Sequence, residues 1–225
     1  MPMSDRDRVD YESLKRCTQI PPAWASYIPL GTLFASGFTD LNVAVADLEA
    51  AAGVLDAAKG EASAQVDIKT INRGEVTDQL DSVVNAARAA EPAHHGYQAR
   101  FRYDRDLSGI ELLAVIDSFL TADAVEQGVL SDLGASATWH ADLTAARTLW
   151  NDTINQSAAA KGSRVAAKAD FDEKMRIAKQ IKKTQGHQVP NYFGSSAAAI
   201  AAWATAAHVE KLPVIHRTPP TPPTP

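Results

Sequence analysis

The chain has 225 residues and a formal net charge of −5, so it can bury a sizeable core and carries no global field that favours nucleic acid or an anionic membrane. Its single cysteine, Cys17, excludes an internal disulfide and a cysteine-built zinc or iron–sulfur centre. Alanine supplies 41 residues; it has the highest intrinsic helix propensity and loses no side-chain entropy on folding, so the chain reads as all-α.

In chain order, residues 1–38 hold an N-terminal helix over 5–20, stopped by Pro21-Pro22, and an apolar broken helix over 23–38 that Pro29 interrupts. The charged start "MPMSDRDRVDYESLKR" has no apolar stretch of the signal-peptide kind, and no run reaches the roughly 18 apolar residues of a membrane span. The expected location is the cytoplasm or a larger assembly.

Residues 39–95 read as a helical hairpin. Asp40 is placed to cap a helix whose stripe is Leu41, Val45, Leu48, Ala52 and Leu55, and "NRGE" around Gly74 marks a turn. A second helix with Leu80, Val83, Val84 and Ala87 ends before Pro92. Over 96–107 the period changes. Tyr97, Ala99, Phe101 and Tyr103 alternate with polar residues, which predicts a strand whose edge could accept a partner strand. The segment 212–216, "LPVIH", is its expected partner within the chain.

Residues 108–135 read as a central helix, opened by the capping box Ser108–Glu111. Residues 140–211 read as a second hairpin. Its long helix carries Leu143, Ala146, Trp150 and Ile154, then Phe171, Met175, Ala178 and Ile181; Gly186 marks its end, and Ser195 or Ser196 caps a last alanine-rich helix. Residues 212–225 form an extended Pro-rich tail, in which Pro219, Pro220, Pro222, Pro223 and Pro225 preset the conformation of a candidate assembly arm.

The stretch Asp40–Gly60 resembles Asp142–Gly162. Both open on Asp-Leu and close on Ala-Ala-Lys-Gly, with Ala44 matching Ala146. The expected fold is therefore an all-α bundle from two related, duplicated helical hairpins with a central helix, plus at most one short two-stranded β ladder, in one compact domain. Neither hairpin could bury its stripe alone.

Chemistry is sparse. The six histidines form no HExxH pattern, and the ExxH letters at Glu91–His94 contain Pro92, which argues against a metal-binding helix. There is no GxGxxG, no phosphate-binding P-loop and no GxSxG. No catalytic residue, metal or cofactor is expected. Arg164, Lys168, Lys174, Arg176, Lys179, Lys182 and Lys183 form a candidate basic face for phosphate or nucleic acid, with Asp170, Asp172 and Glu173 interleaved. By elimination the chain reads as a structural, interaction-type subunit whose partners are copies of itself or a larger assembly. The rivals are a nucleic-acid or phosphate binder through that face and an enzyme whose site is not visible in sequence.

Overall fold

Alanine-rich, 3.6-periodic segments form helices wherever an apolar stripe can be buried, and among the described residues helices are the only regular structure. The computed structural model describes residues 4–24, 32–194 and 196–209. Seven helices follow one another: α1 (Asp5–Trp24), α2 (Leu33–Ala90), α3 (Tyr97–Arg100), α4 (Gly109–Phe119), α5 (Ala124–Asp132), α6 (Trp139–Phe193) and α7 (Ala197–Ala207). The chain is all-α, and its residues group into two compact units. Unit 1 is 1–57 with 166–225, and unit 2 is 58–165.

Several expected boundaries move. α2 is one helix of 58 residues, so Asp40 and Gly74 both lie inside it. α6 is one helix of 55 residues that continues through Gly186 and Pro190. A glycine inside a helix costs only about 1 kcal/mol, and a long buried stripe outweighs that. At Gly186 a close neighbour also explains the residue: an added Cβ would sit 3.3 Å from the Trp203 indole nitrogen. α1 continues past the expected stop at Ile20 to Trp24. The expected central helix is two short helices, α4 and α5, separated by the cap of the second.

The expected strand over 97–103 is absent. Tyr97–Arg100 is a short helix, and the described residues hold no strand, so Tyr97, Ala99, Phe101 and Tyr103 do not form an edge for strand addition. Tyr97 and Phe101 are also four residues apart, and their rings meet at 6.0 Å, so one helical turn satisfies the same apolar pair. Gly96, at φ 98°, turns the chain into α3. The expected partner strand 212–216 and the tail prolines lie outside the described residues, as do residues 25–31 of the apolar segment.

In unit 1, α1 packs on α7, and α2 and α6 run antiparallel: the Gln185 side chain lies on Gly37, and Lys174 meets Asp47 at 3.5 Å. Its core includes Leu14, Phe34, Leu41, Leu48, Phe171, Met175 and Trp203. Phe34 meets Phe38, Tyr192 and Phe193 in a ring cluster, and Trp203 closes on Phe38 at 5.9 Å.

Unit 2 closes around one apolar cluster. α2 gives Val76, Leu80, Val83 and Ala87; α4 gives Leu112, Ile116 and Phe119; α5 gives Leu130; α6 gives Trp139, Leu143, Ala146 and Trp150. Phe101 enters from the loop after α3 with no exposed surface. Both short helices carry complete capping boxes, Ser108 with Glu111 and Asp123 with Glu126.

The two similar stretches lie inside the two long helices. Their shared residues bury in the same register: Leu41 and Leu143, Ala44 and Ala146, Ala58 and Ala160 are all core.

Candidate functional site

Most cations of the candidate basic face are already engaged inside the molecule. Lys168 pairs with Asp172, Arg176 with Glu173, Lys174 with Asp47 and Lys179 with Asp10. Lys182 donates to Ser13 Oγ at 2.9 Å and to the Ala207 carbonyl at 3.1 Å. Arg164 and Lys183 have no such partner among the described residues, and they do not make a patch by themselves. The interleaved Asp172 and Glu173, readable in the sequence, are what consumes part of this face.

Lys182 belongs to a polar cluster in unit 1. The last carbonyls of a helix lack partners within it and carry the negative end of its dipole. α7 has no basic residue in its last turn, so other helices cap it. Ser13 donates to the Ala207 carbonyl at 3.0 Å, and Arg16 donates to the His208 carbonyl at 2.7 Å. Cys17 is fully buried beside this cluster. Burial pushes its thiol up to about 11, only partly offset by the Lys182 and Arg16 charges, which disfavours the reactive thiolate. Burial also lowers the Lys182 ammonium, against the pull of Cys17 and Asp10. Donors and acceptors here satisfy one another, and the cluster is a fastening for α7.

Among the described residues the histidines join no metal-like grouping. His94 lies against the Tyr97 ring at 5.2 Å, and His140 contacts the Leu120 carbonyl at 3.1 Å. Among the described residues no three His, Cys, Asp or Glu side chains gather as a metal would require. Trp139 and Trp150 are core residues, and the Trp150 indole donates to the Gly109 carbonyl at 3.0 Å.

Exposed apolar residues occur on several helices, among them Ile110, Val125 and Val165, and on α2 they form a series. Val43 is 56% exposed and Val54 60%, with Ala50 and Ala57 exposed between and after them. Farther along the same helix Ala64, Ile68 and Ile71 are exposed, the isoleucines at 39% and 60%. These positions recur at steps of three, four and seven, which is the spacing of a seam against another helix. Asp47 and Glu61 are the only charges within the series. A different face of α2, Glu49, Asp56, Ser63, Asp67 and Thr70, is polar throughout. The sequence reading missed this second stripe because it assigned the helix only its buried one, although the 3–4 spacing was there to be counted.

No protein family, curated protein or solved structure matches the chain. Among the described residues no helix is long and apolar enough to cross a membrane.

Proposed function

We propose that this chain is a structural subunit that associates with copies of itself through the exposed stripe of α2. The observation that carries the reading is the stripe itself: β-branched residues and alanines repeat in a second heptad-like series outside the core. A second copy offers the same spacing, and alanine at the intervening positions lets two helices approach closely. Four branched side chains on each of two copies, each about half exposed, bring roughly 8 kcal/mol of transfer free energy. Lost translational and rotational freedom costs about 4 kcal/mol or more. The balance describes a reversible, concentration-dependent contact.

The duplicated-hairpin history remains part of the proposal in a reduced form: two long helices that share one burial register, descended from one helical unit. The Pro-rich tail, residues 218–225, is retained as a candidate assembly arm. The engagement of most of the 164–183 cations gives the nucleic-acid reading less support.

Cysteine cross-linking tests the contact. In a Cys17→Ala background, Val54→Cys should form an inter-copy disulfide on mild oxidation, while Asp56→Cys on the polar face should not. Equal cross-linking at both positions would reject the α2 contact.

A further inference from the structure

Unit 2 contains a groove of about 340 Å³ lined by Val84, Arg88, Glu91, Gln98, Ala99 and Arg102. Its arginines differ from most others in the unit. Arg73 donates to the Arg105 and Leu107 carbonyls, Arg100 pairs with Glu126, Arg105 with Asp81 and Arg147 with Asp117. Arg88 makes only a 3.4 Å contact with Asn85 Oδ1, and Arg102 has no side-chain partner among the described residues. Two arginines without a carboxylate partner among the described residues thus line one concavity.

Glu91 shares the groove, yet its carboxylate is committed elsewhere. It accepts from the Gly96 N–H at 3.0 and 3.2 Å and from the Gln98 N–H at 2.8 Å, which holds the turn into α3. Those backbone donors keep its proton affinity below the ordinary glutamate range, so it stays ionised. The charges around the groove sum to one positive. A phosphoryl group offers three acceptor oxygens, enough to engage both arginines at once. The planar guanidinium fork matches phosphate oxygens in two-point contacts. Val84 and Ala99 supply an apolar wall, and the volume lies at the small end of ligand sites.

We propose that this groove binds the phosphoryl group of a small organic phosphate, held between Arg88 and Arg102. The site lies apart from the α2 stripe and does not depend on self-association.

The test is a titration of the isotopically labelled full chain, read by amide chemical shifts, with glycerol phosphate, inorganic phosphate and acetate as probes. Glycerol phosphate should give saturable shifts centred on Gly96, Gln98 and Ala99, and acetate should bind about tenfold more weakly or worse. Inorganic phosphate separates the sources: weaker binding than glycerol phosphate supports an organic ligand, and equal or tighter binding overturns that part of the proposal. Arg88→Gln with Arg102→Gln should weaken binding at least about tenfold, while Arg164→Gln should leave it unchanged. Both groove arginines are exposed, so the double variant should keep the wild-type melting temperature. Absence of saturable shifts, acetate binding as tight as phosphate, or unchanged binding in the folded double variant would each overturn the site. If the double variant does not fold, Arg102→Lys alone decides: weakened binding supports the fork contact, and unchanged binding rejects it.

Discussion

Unit 2 packs rings against rings: Phe101 meets Phe119 at 5.3 Å and Trp139 at 6.5 Å, and α4 and α5 start on complete capping boxes. Unit 1 has a ring cluster of its own around Phe34 and adds a second kind of fastening. Buried Ser13 and half-buried Lys182 and Arg16 hold the end of α7, and Gly37 admits the Gln185 side chain, itself only 2% exposed. The contrast teaches how alanine-rich helices are anchored. α7 offers Trp203, the partly buried Ile200 and otherwise small side chains, and its last turn relies on donors from other helices. In unit 2 large side chains fill the core, α4 and α5 are capped locally, and ion pairs such as Arg100–Glu126 and Arg147–Asp117 join segments distant in sequence.

The largest expected effect falls on the ring-packed unit. Trp150→Ala removes a fully buried indole and its hydrogen bond to Gly109, and should cost about 3–5 kcal/mol. Chemical denaturation followed by tryptophan fluorescence checks it. If unit 1 has its own fastening, Cys17 should remain protected from alkylation in this variant under native conditions. Rapid labelling would show instead that unit 1 opens together with unit 2.

Next comes the close approach in unit 1. A Cβ at position 37 would lie 1.5 Å from Gln185 Nε2 and 2.7 Å from its Cδ, so Gly37→Ala should cost about 1–3 kcal/mol. Gln185→Ala should recover much of that loss in a double-mutant cycle. Strict additivity would mean that the two residues do not meet.

Two titrations sharpen the comparison. In unit 2, burial and the Asp81 carboxylate push the Tyr103 hydroxyl from 10.0 up to about 12. The folded state holds that proton more tightly, so the stability it brings is complete below pH 10.0 and is lost as pH rises through about 12. Tyr103→Phe should remove this part of the alkaline loss, measured as melting temperature against pH. In unit 1, Cys17 at about pH 8 should react only when the unit opens, so its alkylation rate should follow added denaturant. Fast labelling of the native chain would place the thiol at the surface.

The smallest effects belong to the caps. Ser108→Ala and Asp123→Ala should each cost about 1 kcal/mol, because each strands a first-turn N–H of its helix. A circular-dichroism melt resolves that change.

What the sequence disclosed follows from the range of each interaction. The Ser108–Glu111 box was legible because partner and cap lie three residues apart, and for α7 the reading left Ser195 or Ser196, of which Ser196 is the cap. The buried stripes of α2 and α6 were legible from periodicity. Gly74 and Gly186 misled the reading, because a local breaker is overruled by a long buried stripe, and at Gly186 its reason is a tryptophan on another helix. Tyr97, Phe101 and Tyr103 misled it because steps of two and of four coincide. The fastening of α7 could not be read, since Ser13, Arg16 and Lys182 approach it from distant parts of the chain. The groove arginines were invisible for a similar reason: what sets them apart is the absence of partners, which only the folded chain reveals.

The most direct test of self-association is molar mass by light scattering across a concentration series, for the wild type and for Val54→Glu with Ile68→Glu. Both positions are exposed, so the variant should fold. The wild type should exceed the chain mass of 24.1 kDa at high concentration and fall toward it on dilution, while the variant should stay at 24.1 kDa throughout. A wild type that remains at 24.1 kDa at every concentration, or a variant that assembles as the wild type does, would contradict the proposed role of α2.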